Sequence, residues 1–260
     1  MPTERRETRT ESKYFGKILI SESKLSDAGN LVYTVEIRDD LFNNDILKER
    51  LIDILEKIFQ TYFNKLKVKF GQTVLVAALG NDKVTADSIG SAVSDRLIVT
   101  SHLYSDKKIA SRFGNLATIK CGVSGTTGIS SYDVLTSVSA KIRPSLIIAV
   151  DALACASTSR LAHTIQFSDR GIEPGGGVGN VQPKLDCASL GVPVLAVGVP
   201  LVMYVRKIIA ELCPDSNAEF DDAAANLVVT GKEIDFQVKD FAYVLAESIN
   251  RAVHRMNSTV

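Results

Sequence analysis

Three short runs, residues 74–79, 146–150 and 194–199, are apolar at every position, which leaves few folds open to the chain. A strand with one wet face alternates apolar with polar side chains. One that is apolar throughout is covered on both faces, as in a parallel sheet between helices. Helical spacing follows or separates these runs at residues 86–97, 131–142, 201–212 and 234–254. The pattern predicts a three-layer α/β domain with a mainly parallel central sheet and no internal repeat. Upstream, residues 14–21 and 31–37 read as a hairpin, and Leu47, Leu51, Ile54, Leu55, Ile58 and Tyr62 recur at helical spacing. Residues 1–14 are dense in charge and read as a flexible tail or a removable propeptide. Residues 15–260 are expected to form a single domain, with the hairpin and helix of residues 15–70 packed on it.

Lys and Arg together number 30, as do Asp and Glu, so no bulk charge draws the chain to nucleic acid or an anionic membrane. The apolar runs are too short to span a bilayer. Cys121, Cys155, Cys187 and Cys213 form no Cys-x-x-Cys pair and have no His at ligand spacing, which argues against a zinc site. The charged start is unlike a secretory signal, so the cysteines are read as reduced and the protein as cytoplasmic. His102, His163 and His254 form no triad-like set, and neither a Walker loop nor a G-x-S-x-G elbow occurs.

In an open parallel sheet, ligands sit at the carboxyl ends of the strands. Two acids fall there. The run 74–79 leads through Gly80 and Asn81 to Asp87, with Thr85 as the expected N-cap of a helix whose first turn holds Asp87. Asp151 directly follows the run 146–150. Bland roles exist for both: Asp87 could simply favour its helix dipole, and Asp151 could order loop amides. A carboxylate against a buried strand is nonetheless costly unless paired, hydrogen-bonded or used. A third acid, Asp169, precedes the loop Gly175-Gly176-Gly177-Val178-Gly179-Asn180, which lacks the register of a dinucleotide cradle.

In order along the chain stand Val76-Ala77-Ala78-Leu79-Gly80-Asn81, Val84-Thr85-x-Asp87, Val99-Thr100-x-His102-Leu103, Gly125-x-Thr127-Gly128-Ile129 and Ile148-Ala149-Val150-Asp151-Ala152-Leu153-Ala154. They continue with Thr164-Ile165-Gln166-x-Ser168-Asp169-x-Gly171-Ile172-x-Pro174-Gly175-x-Gly177-Val178-Gly179-Asn180, Leu190-Gly191-x-Pro193-Val194, and Val229-Thr230-x-Lys232-Glu233-x-Asp235. The set resembles the germination proteases of spore-forming bacteria, over about residues 74–256. The resemblance implies an atypical aspartic endopeptidase, phosphorylase/hydrolase-like and similar in fold to hydrogenase-maturation proteases, that needs no cofactor or metal. Its substrates would be small acid-soluble spore proteins, cut within a short acidic and apolar motif in the forespore or spore core. It further implies an inactive zymogen, autoprocessing near the N-terminus, and a homo-oligomer, a tetramer in the family.

By motif match the catalytic pair falls on Asp87 and Asp151, with Asn81, His102, Thr127, Gly128, Asp169, Gly177 and Asn180 as supporting or substrate-binding residues. The chain departs from the family at Asp82-Lys83, Ala86, Ser101 and Ala156, and lacks most of a long segment between Pro200 and Leu227. Two carboxyls can hydrolyse a peptide if they titrate apart. Asp87, its anion favoured by a helix N-terminus and free amides, is expected to have a lowered pKa and act as base; Asp151, poorly solvated and beside that anion, as acid. Two rivals are a metal-sensing maturation peptidase, using Asp87, Asp151 and His102 as ligands, and a non-catalytic homologue.

Overall fold

The computed structural model describes residues 9–25, 29–175, 183–214 and 222–255. The chain opens with strands β1 (Arg9–Phe15), β2 (Ile18–Leu25) and β3 (Asn30–Ile37), then helix α1 (Asp45–Lys65). Next come β4 (Thr73–Ala78), α2 (Ile89–Ser94), α3 (Lys107–Ala110), β5 (Asn115–Lys120), α4 (Ser124–Thr127) and α5 (Ser131–Ile142). Strands β6 (Leu146–Ala154) and β7 (Thr164–Ser168) precede α6 (Cys187–Leu190), β8 (Val194–Tyr204) and α7 (Val205–Leu212). The chain ends with α8 (Asp222–Ala225), β9 (Val228–Val229) and α9 (Ile234–His254).

Among the described residues the strands form one nine-stranded sheet in the order β1-β2-β3-β7-β8-β6-β4-β5, with β9 pairing β8. Its apolar runs face two layers, as their lack of alternation requires. Val74, Val76, Ile148, Val150, Leu195 and Val197 pack in the core shared with α1, α2 and α9. Their neighbours Leu75, Ala77, Ile147, Ala149 and Val194 pack with Leu135 of α5 and Leu190 of α6 on the other face. Helix α1 starts where the Asn44 side chain accepts the N–H of Leu47 at 3.1 Å, and buries Leu47, Leu51, Leu55, Ile58 and Tyr62 on one stripe. Among the described residues no helix is long and apolar enough to cross a membrane.

The α/β layering matches the sequence pattern, but the sheet is mixed, not mainly parallel. Strands β5, β4, β6 and β8 are parallel neighbours, whereas β7, β3, β2 and β1 join antiparallel. The antiparallel half is linked partly by short connections: Gly16, at φ 65°, and Lys17 are the whole turn between β1 and β2. The strand expected over residues 14–21 therefore straddles a turn.

Residues 9–14, expected as tail, lie in β1; residues 1–8 are outside the described residues. An edge strand buries little and so carries no apolar pattern to announce it. Strand β6 does not stop before Asp151 but runs through it, and β8 replaces the first turn expected of helix 201–212. Pro200 interrupts the apolar pattern yet stays in β8, beside the register shift between Leu153 and Ala154, where a missing donor is tolerated.

Candidate active site

Strands β4 and β6 are parallel neighbours, with Ala78 opposite Val150, so their carboxyl ends bring the segments bearing Asp87 and Asp151 together. Both acids line one cleft of about 480 Å³, with Gly80, Asn81, Val123, Ser124, Gly125, Leu153 and Val202 among its other walls. Asp151 lies opposite Gly198 of β8 and is 7% exposed. Burial, then the charge of Asp87, push its pKa up to about 8, against the opposing N–H of Ala152, which donates to Oδ1 at 3.0 Å. Cys121, at the end of β5, is buried beside it; burial first and the Asp151 charge second push the thiol up to about 12.

Asp87 ends the 3-10 turn Thr85–Asp87, and α2 begins only at Ile89. Its Oδ2 accepts the N–H of Asn81 at 2.8 Å, and its own N–H donates to Val84 O at 2.8 Å, so the loop closes on the carboxylate. Gly80 makes that closure geometrically open. Its φ is +89°, and a Cβ there would lie 2.1 Å from the backbone oxygen of Asp87. A Cβ on Gly90 would meet Leu79 O at 2.4 Å and Val150 O at 2.7 Å, so α2 seats directly on both strand ends.

The expected electrostatics of Asp87 are overturned. Thr85 makes no capping bond, and no long helix begins beneath the carboxylate. Burial raises the Asp87 pKa above the usual carboxylate value, and the Asn81 N–H only partly opposes this. The two acids still titrate apart, because Asp151 is much the more buried and carries the added effect of the Asp87 charge.

A family model described as germination protease matches residues 22–213. The chain belongs to the germination protease family. A germination protease of Geobacillus sp. (strain WCH70) is 37% identical over 180 residues, covering 68% of this chain and 48% of that protein. One of Caldanaerobacter subterraneus subsp. tengcongensis is 33% identical over 243 residues, 80% of this chain and 75% of the relative. One of Bacillus cytotoxicus is 30% identical over 297 aligned positions, 90% and 81% of the two chains. Against the Geobacillus protein, then, the chain spans about half the relative's length.

Among the residues this germination protease motif set singles out, Asn81 sits at the pair. Thr127 and Gly128 shape the turn that carries Ser124 and Gly125: the Thr127 hydroxyl accepts the N–H of Ile129 at 3.1 Å, and Gly128 closes α4 at φ 71°. His102 does not join them. It lies in the 3-10 turn Ser101–Leu103, beside Thr100, whose N–H donates to Leu116 O at 2.9 Å. Leu116 is level with Val74 at the amino end of the parallel strands, the far end from Asp151. The ligand set Asp87, Asp151 and His102 is therefore not assembled. No other group of three or more candidate metal-binding side chains forms among the described residues.

Asp169 is also elsewhere, because β7 runs antiparallel to β8 and its carboxyl end meets Ala196, near the start of β8. Its carboxylate pairs with Lys65 of α1 and accepts the N–H of Leu31 at 2.9 Å. Gly177 and Asn180 lie outside the described residues. Sequence reasoning missed Ser124, Gly125, Glu173, Pro174 and Val202 as cleft walls. The signal for the first two was the position of Gly125 just beyond β5, a strand too polar to be recognised.

Proposed function

We propose that the chain is an endopeptidase that begins the degradation of small acid-soluble spore proteins at germination, with Asp87 as general base and Asp151 as general acid. One observation carries this reading: two acids on adjacent parallel strand ends share a cleft, and burial, with the Asp87 charge adding to it, pushes the pKa of Asp151 up to about 8. At neutral pH the pair then holds one proton, the state that acid–base hydrolysis requires.

A water between the carboxyls gives its proton to Asp87 as its oxygen attacks the scissile carbonyl. Asp151 donates its proton to the carbonyl oxygen, giving a gem-diol. As the C–N bond breaks, Asp87 passes the proton taken from water to the departing amine and a gem-diol hydroxyl returns one to Asp151, so the pair, which titrates as a unit, is restored. Asn81 fixes Asp87 through its backbone N–H. The small and apolar walls Ala86, Ala152, Ala154 and Val202 suit an extended peptide. Thr127 and Gly128 would support the wall, and Gly177 and Asn180 are assigned to substrate contact by their motif alone. The reading carries with it the spore core as the place of action, a zymogen activated by loss of residues 1 to about 11, a homo-oligomer, and fold kinship with hydrogenase-maturation proteases.

Purified protein incubated with a small acid-soluble spore protein should cleave it. Asp87→Asn and Asp151→Asn should each lower turnover by about a thousandfold or more with unchanged circular dichroism. Full activity in either variant, or an intact substrate with the native chain after any processing, overturns the proposal. Intact mass decides the zymogen element: residues 1 to about 11 should be lost from the active protein and kept by Asp87→Asn.

A further inference from the structure

We propose that Leu153, held back against Gly198, sets the size of the substrate side chain seated beside Asp151, in an apolar subsite that it forms with Val202 and Val228. The inference rests on the peptidase reading and deepens it.

Residues two apart on a strand share a face. Ile147 and Ala149 of β6 pack on the α5 side of the sheet, so Asp151 and Leu153 face that side as well. Val197 and Val199 of β8 pack on the opposite side, with α1, α2 and α9, so Gly198 between them faces the same way as Asp151. Across the ladder Gly198 is opposite Asp151, and Pro200 is opposite Leu153. The Leu153 side chain nonetheless lies over Gly198: a Cβ on that glycine would meet its Cδ1 at 2.3 Å, its Cγ at 2.5 Å and its Cδ2 at 3.0 Å. Leu153 therefore leans back along the strand and lies beside the acid. Gly198 sits within β8 and has no left-handed φ to explain it, so the space it leaves is its contribution.

That space bears on the cleft. Leu153 is half-buried and lines it together with Val202 and with Val228, which is 44% exposed. Asp87 reaches the pair from the β4 side of β6, whereas Gly198 and Val202 belong to β8 on its other side. A peptide whose scissile bond lies at the acids thus lays one flanking side chain on the β8 wall. The wall is apolar, and how far Leu153 leans back sets its depth.

Cleavage of peptides spanning the bond cut in the spore-protein substrate, with Ala, Leu or Phe in turn at each residue flanking it, tests this. At one flank the native chain should favour Leu in kcat/KM. Leu153→Ala should shift that preference toward Phe by about tenfold or more, and Gly198→Ala, whose new methyl drives Leu153 into the cleft, toward Ala by a similar factor. The double variant should return toward the native order, because the methyl fills space that the truncation opens. Thermal melts confirm that each variant is folded, and Leu153→Ala decides alone if Gly198→Ala is not. Native ratios in Leu153→Ala, a loss equal for all peptides, or a double variant no nearer native than Gly198→Ala overturns the subsite while the peptidase reading stands. The same ratios read as peptide affinity in Asp87→Asn need no turnover, so a chain that binds with this selectivity and never cuts overturns the peptidase reading alone.

Discussion

Strands β4 and β6 are buried on both faces, while β3 alternates between partly buried and buried positions with its apolar side on α1. Their acids differ in the same way. In the antiparallel half, Asp169 pairs with Lys65, and Glu22 accepts the Tyr33 hydroxyl at 2.7 Å, a bond that helps hold its pKa low. In the parallel half, the charge acting on Asp151 is that of another acid, Asp87, and it pushes the same way as burial. A partnered acid stabilises its anion and is held in structure; an acid beside an acid retains a proton that it can give away.

The sharpest way to break this contrast is to remove each kind of acid. Asp151→Asn should lower hydrolysis by about a thousandfold or more without lowering the melting temperature at neutral pH, because Asp151 is uncharged in the folded chain there and Asn removes the ionisation that favours the unfolded one. Asp169→Ala should do the reverse. Its side chain is 3% exposed, and the change takes the counter-charge from Lys65, 33% exposed, and the acceptor from the Leu31 N–H, so stability should fall by about 2–4 kcal/mol in denaturant titrations, with hydrolysis of the folded fraction kept. Equal stability losses in the two variants would erase the distinction.

A more gradual effect separates the halves by pH. Asp151 titrates near 8 in the folded chain and near the ordinary carboxylate value of 3.8 when unfolded. Between these values the unfolded state has released a proton that the folded state keeps, so stability falls as pH rises, by at most about 1.4 kcal/mol per unit. Below the unfolded value the penalty is absent; above about 8 it is complete. Asp151→Asn should flatten the slope. Asp87→Asn removes the charge that disfavours ionisation, so the slope should end at lower pH. In the native enzyme, hydrolysis should fall as pH climbs through about 8, where Asp151 loses its proton.

Legibility in the sequence divides along the same line. Helix α5 over Ser131–Ile142 and α9 over Ile234–His254 stand where residues 131–142 and 234–254 place them, because α9 has a full apolar stripe to bury and α5 packs Leu135, with Tyr132, Val134 and Val138 beside it, against the sheet. The β4 and β6 runs are visible for the same reason, and with them the location of Asp87 and Asp151. Strands β1 and β5 are not, since an edge strand buries too little to leave a pattern. The sign of the Asp87 shift was also hidden: it depends on whether Thr85–Asp87 opens a long helix or folds back on Asn81, and that depends on the left-handed turn at Gly80. Asp169 was misplaced because strand direction, which decides the end of the sheet an acid reaches, is set by β7 pairing with β8 and not by local sequence.

The smallest expected effect tests that directional reasoning most cleanly. His102 sits in a motif match, so a catalytic or ligand role predicts a large loss on substitution. Its place beside Thr100, at the amino end of β5, puts the length of a strand between it and the carboxyl pair. No residue of the turn Ser101–Leu103 is buried, the turn being held from its end by buried Thr100, and His102 is exposed. His102→Ala should therefore leave kcat/KM within about twofold and stability within about 0.5 kcal/mol. The alkaline fall near pH 8 should also be unmoved, because it belongs to Asp151. A loss of a hundredfold, or a displaced pH limb, would mean that chemistry reaches the amino end of the parallel strands, and that strand direction alone does not divide structural from catalytic residues here.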